Sequence, residues 1–164
     1  MSHPVTEERA VEHGDALNLV RQEVAEAPGP DAAAQRAVEL LHDRFGHYDW
    51  IGIYWVDANG TDLVLGPWIG PEATEHTRIP IGTGICGAAA ASGLTEIIED
   101  VNVDPRYLAC FATTRSEIVV PIFDGGEVVG EIDIDGSEPG AFDDTDRQFL
   151  EEVAALLAPL RPRP

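Results

Sequence analysis

Along the chain the apolar positions change period twice, from helical spacing to alternation and back again. Val11, Leu17, Val20 and Val24 mark a first helix over 6–27, interrupted at Gly14 and ended by Pro28-Gly29-Pro30. Asp31 then stands as N-cap of a second helix over 32–45, whose stripe of Ala34, Val38, Leu41 and Phe45 is closed by Gly46. From Asp49 the pattern becomes that of strands. Residues 49–56 and 61–69 read as a hairpin that bends at Asn59-Gly60, and 77–81 as a further short strand. The alanine run within 82–93 favours a short helix that Gly93 ends; 95–101 returns to extended structure, and an irregular loop follows over 102–114. A second hairpin pairs 116–123 with 127–135 through Asp124-Gly125-Gly126. Helical spacing resumes over 143–160, with acidic residues at its start and Phe149, Leu150, Val153, Leu156 and Leu157 on one face.

Helices, hairpins and a closing helix predict an α+β domain, a central antiparallel sheet of about six strands flanked by helices. Residues 1–30 form a leading helix and linker, 31–160 the domain itself and 161–164 a tail. No internal repeat and no low-complexity segment interrupts it.

Charge narrows the range of partners. The chain has 30 acidic residues against 10 basic ones, all arginine, for a net charge of −20. Such a balance repels phosphate backbones and anionic membrane surfaces, so neither nucleic acid nor a membrane is an expected partner. No long apolar run spans a bilayer, and the first residues lack the basic-then-apolar order of a signal peptide, which predicts a cytoplasmic protein. With 2 cysteines and a reducing compartment, a structural disulfide framework is not expected; packing, metal binding and redox work stay open.

Three groups of residues carry candidate chemistry. Cys86 lies in the first turn of the alanine-rich helix, where free amide N–H groups and the helix dipole favour a thiolate, while Cys110 sits in the loop before an apolar strand. A zinc site from Cys86, Cys110 and His76 plus a carboxylate lacks the paired C-x-x-C spacing that would support it. Glu131, Asp133 and Asp135 alternate with Ile132 and Ile134, so one face of that strand is acidic and the other apolar. The acidic face is either solvated or, through Asp133 and Asp135 with Glu117 at the entrance of the preceding apolar strand, a cage for an ammonium group. Clustering raises at least one of these carboxyl pKa values and keeps a proton available. Trp50 and Tyr54 share a face across Gly52, either as core or as the walls of a slot. Arg115 is placed to pair with a carboxylate.

Taken together, "DWIGIYW", "LVLGPWIG", "RIPIGTGICGAAAASG", "DVNVDPRYLAC", "TRSEIVVPI" and "GEIDIDG" resemble a stand-alone GAF domain of the free methionine-(R)-sulfoxide reductase type, over about residues 31–160. The resemblance implies a GAF fold, a homodimer and a thiol-dependent reduction of free L-methionine (R)-sulfoxide without metal or organic cofactor. It implies that Cys110 attacks the substrate sulfur, that Cys86 resolves the sulfenic acid to a disulfide, and that thioredoxin returns the electrons. It places the substrate ammonium on Glu117, Asp133 and Asp135, and Trp50 and Tyr54 around the methyl end. Two departures stand out. The family's usual resolving cysteine is replaced by His76, a candidate to stabilise a thiolate instead, and Phe111 follows Cys110 where the family tends to have aspartate. These departures keep a second reading alive, a sensor domain that binds a small ligand such as an amino acid and does no chemistry.

Overall fold

The computed structural model describes residues 4–109 and 111–162. The elements follow the order α1 (Pro4–Glu26), α2 (Pro30–Arg44), β1 (Trp50–Val56), β2 (Asp62–Ile69), β3 (Arg78–Pro80), α3 (Gly84–Ser92), β4 (Glu96–Ile98), β5 (Ser116–Asp124), β6 (Glu127–Gly136) and α4 (Asp144–Leu157). Six strands form one sheet in the order β3-β2-β1-β6-β5-β4, and every neighbouring pair is antiparallel. None of the described helices is long and apolar enough to cross a membrane.

Local sequence explains most boundaries. Gly125 and Gly126 both have positive φ, 60° and 84°, and form the two-residue turn that joins β5 to β6. That is the mirror-image turn whose twist matches paired strands. At α4, the Asp143 carboxylate accepts from the N–H groups of Thr145 and Asp146 while Asp146 reaches back to the Asp143 N–H, a complete capping box. Two expectations change. Gly29, not Asp31, is the N-cap of α2, because Pro30 fits the first helical position and moves the start back; Asp31 falls in the first turn. Phe45, extended in backbone, ends that helix before Gly46 is reached.

The sheet has two different faces. On one, α1, α2 and α4 cover Ile51, Ile53, Trp55, Ile118, Val120, Ile132 and Ile134 to form the larger core. Gly14 does not break α1, whose inward face is Ala16 and Val20 with His13 beside them; Val11 is turned to solvent at 63% exposure. His13 stacks on Phe149 of α4 at 4.4 Å and 8°. On the other face α3 together with Val101, Tyr107, Leu108 and Phe111 encloses a smaller cluster containing Trp50, Tyr54, Ile85, Cys86 and Ala89. There α3 sits close to the end of β3, since a Cβ on Gly87 would lie 2.7 Å from the Pro80 carbonyl oxygen. Any larger residue in the second glycine of "GICG" would push that helix off the sheet.

Candidate active site

Period-two alternation on the central strand β6 builds the site. Asp135, Asp133 and Glu131 stand opposite Trp50, Gly52 and Tyr54 of β1, with their side chains on the α3 face, while Ile132 and Ile134 enter the larger core. On the other side of β6, Glu117 of β5 is registered with Asp135. These acidic residues are buried: Glu117 5%, Glu131 0%, Asp133 5% and Asp135 4% exposed. The solvated reading of the acidic strand is thereby excluded.

Cys86, the third residue of α3, points at this acidic group. Its sulfur lies 3.9 Å from Glu117 Oε2, and one ligand-type atom from each of Cys86, Glu117 and Asp133 falls within 4.8 Å of the others. Glu131 borders the same thiol. The consequence reverses the expectation drawn from the helix start. Burial first, then the charges of Asp133, Glu131 and Glu117, push the Cys86 thiol well above its ordinary value, and these outweigh the helix dipole. In the resting protein Cys86 is a thiol.

The carboxyls are perturbed in the same way. Burial raises Glu131, Asp133 and Asp135, and the charge of Asp133 raises Glu131 and Asp135 further. Glu117 hydrogen-bonds with both aspartates and opposes their shift. Two carboxyls joined in this way share a proton, since ionised carboxylates only accept. Thr114 Oγ1 donates to Asp135 Oδ2 at 3.3 Å. One oxygen each of Asp133 and Asp135 is buried without a hydrogen-bond partner among the described residues, and the two buried oxygens of Glu131 meet only the weakly donating Cys86 thiol. Nor, among those residues, does any arginine or histidine form an ion pair with them. A buried set of this kind is costly unless a cation or a proton neutralises it.

The aromatic wall differs in detail from the expected slot. The Trp50 indole folds over Gly52, where a Cβ would lie 2.5 Å from the ring, so the glycine makes room for Trp50 and not for a guest. Trp68 stacks on Trp50 at 6.1 Å and 13°, and Phe111 leans on it at 5.8 Å. The Tyr54 hydroxyl donates to the His76 carbonyl oxygen at 2.7 Å. His76 Nε2 faces the Ala109 carbonyl at 3.4 Å, and its backbone N–H donates to Thr74. Thus His76 ties β1 to the segment before Cys110 and does not join the Cys86 cluster. Cys110 itself lies outside the described residues; its chain neighbour Phe111 packs against the cluster that contains Cys86. Arg115 is exposed and bonds through its backbone to Gly136 and Val101.

Sequence reasoning assigned no role to Glu131, Thr114, Trp68 or Phe111. Glu131 carried a signal in its place in the alternation and Phe111 in its position beside Cys110, whereas Thr114 and Trp68 reach the site through tertiary packing.

A GAF domain is the class that this curled antiparallel sheet and its enclosed acidic face define, and the GAF domain family matches residues 29–159. Protein YtsP of Bacillus subtilis is 42% identical over 74% of this chain and 73% of its own length. The free methionine-R-sulfoxide reductase of Escherichia coli is 40% identical over 72% of this chain and 69% of its own. The crystal structure of the free methionine-R-sulfoxide reductase of Neisseria meningitidis in complex with its substrate superposes with a TM-score of 0.86, at 37% identity, covering 93% of this chain and 89% of that one. The chain belongs to the GAF domain family and, within it, to the free methionine-R-sulfoxide reductases.

Proposed function

We propose that this protein reduces free methionine (R)-sulfoxide to methionine, using the buried acidic cage to hold the amino group. The observation that supports this reading most strongly is the electrostatics of the cage. Glu117, Asp133 and Asp135 converge in a buried space where no basic side chain forms an ion pair with the aspartates among the described residues, and an ammonium supplies the missing charge. Methionine sulfoxide inside a peptide has no free ammonium, so the same cage selects the free amino acid. Trp50 and Tyr54, with Trp68 and Phe111, provide the apolar surface for the sulfur-bearing end.

In the cycle, the Cys110 thiolate attacks the sulfoxide sulfur, the oxygen is transferred to the cysteine, and methionine leaves with Cys110 as a sulfenic acid. A carboxylic acid of the cage protonates the departing oxygen; the raised pKa values of Asp133 and Asp135 keep such a proton at hand. Cys86 then attacks the Cys110 sulfur, water departs and a disulfide forms. Two electrons from the dithiol of thioredoxin restore both thiols. His76 cannot resolve the sulfenic acid, so Cys86 takes that part. The protein works in the cytoplasm.

The test uses reduced protein, free methionine (R)-sulfoxide and a thioredoxin system. Turnover should vanish in Cys110→Ser, whereas Cys86→Ser should release one methionine per chain and then stall. Binding without turnover in the wild type would favour the sensor reading instead. Mass spectrometry after substrate treatment should find a Cys86–Cys110 bridge; a mixed disulfide with added thiol would remove Cys86 from the cycle.

A further inference from the structure

The cage contains more negative groups than one ammonium needs. Glu131 is the surplus: it is fully buried beside Asp133, and its carboxyl meets no hydrogen-bonding group other than the weakly donating Cys86 thiol among the described residues. The ammonium set of Glu117, Asp133 and Asp135 leaves it unused.

Geometry gives this surplus a use. On a tetrahedral zinc ion, with Zn–S of about 2.3 Å and Zn–O of about 2.0–2.2 Å, sulfur and oxygen ligands lie roughly 3.6 Å apart. Cys86 Sγ and Glu117 Oε2 are already 3.9 Å apart, and Asp133 falls within 4.8 Å of both. Small side-chain shifts close the remaining gap. Glu131, two residues from Asp133 on the same strand, borders the Cys86 thiol but lies outside that 4.8 Å set, and a side-chain shift toward the ion would make it the fourth donor.

We propose that Cys86, Glu117, Asp133 and Glu131 form a binding site for a borderline-soft divalent cation of the zinc class, which competes with the substrate for the cage. A sulfur ligand selects against magnesium and calcium, which take oxygen donors, and for zinc or cobalt. Binding converts the Cys86 thiol to a metal thiolate and releases its proton to solvent, with no change of oxidation state. The bound cation is an inhibitor, since it occupies the ammonium position and sequesters the resolving sulfur. The competition rests on the reading under Proposed function; the metal site does not.

Cobalt chloride titrated into reduced, chelator-treated full-length protein tests the site directly. We expect one equivalent bound with a thiolate-to-cobalt charge-transfer band, lost in Cys86→Ser and retained in Cys110→Ser. Glu131→Gln and Asp133→Asn should each weaken binding about tenfold or more, with circular dichroism confirming that each variant folds. Zinc chloride should displace cobalt and raise the apparent KM for methionine sulfoxide. Absence of the band, its loss in Cys110→Ser but not Cys86→Ser, or wild-type affinity in both carboxyl variants overturns the site. Zinc bound without any effect on KM overturns the competition. Reductase activity measured in chelator, without metal, tests the catalytic reading separately.

Discussion

Glu131 lowers the stability of the fold that contains it. Its carboxyl is raised by burial and by Asp133 from an ordinary value of 4.5, so above that pH the unfolded chain releases a proton that the folded chain keeps. Stability attributable to this group is therefore full below about pH 4.5 and is lost as pH rises. Glu131→Gln removes this group's share of the slope, leaving that of Asp133 and Asp135. Thermal unfolding should show the variant more stable than wild type by about 1 kcal/mol or more near pH 8, a few degrees in Tm, with the difference shrinking toward pH 4. A constant difference across that range would mean that the gain is packing alone. The acidic alternation was legible from "GEIDID", but its burial was not, because the same pattern describes a strand facing water. Only the position of α3 over that face decides the matter, and the closeness of α3 depends on Gly87, whose role as a space-saving residue no local propensity announces.

Between elements, α1 is held by an unusual contact. His13 lies between Phe149 and Phe45 and near Asp146, Asp143, Arg9 and His47, with burial lowering its pKa below 6.5 as the largest cause; Asp146 and Asp143 work in the opposite direction. For a base whose folded pKa is depressed, stability is full above the unfolded value and falls as pH drops through about 6.5. Wild type should thus lose stability between pH 7 and pH 5 by an amount that His13→Phe abolishes, measured as the difference in Tm between the two proteins at each pH. An unchanged difference would show that the native protein accepts the proton at no cost. The hydrophobic pattern found α1, its length and most of its face, since Val20 is buried and Leu17 and Val24 pack on the core; only its first member fails, because Val11 belongs to the series by spacing yet His13 is the side chain that meets α4. An aromatic ring can replace an aliphatic one where stacking compensates its polarity, and period alone does not reveal that.

Across the chain as a body, the charge of −20 opposes compaction. Exposed ion pairs such as Arg78 with Asp57 and Asp62, or Arg106 with Glu96 and Asp104, offset little of it. Raising salt from about 0.05 to 0.5 M shortens the Debye length from roughly 14 to 4 Å, so Tm should rise by several degrees. A flat or falling Tm would mean that the surface pairs outweigh the general repulsion. The α+β class, the two hairpins and the closing helix were all legible because their turns and caps are local. The pairing of β1 with β6, which brings Trp50, Gly52 and Tyr54 to the acids, joins residues 80 or so positions apart and follows no local rule. That pairing also gives β6 two duties, oil on one side and acid on the other. A slip of one residue would drive the acids into the oil and turn the isoleucines toward the guest, so no misaligned form of the sheet retains a working cage. Recovery of ligand binding after denaturation therefore certifies that the central strand has found its correct neighbours.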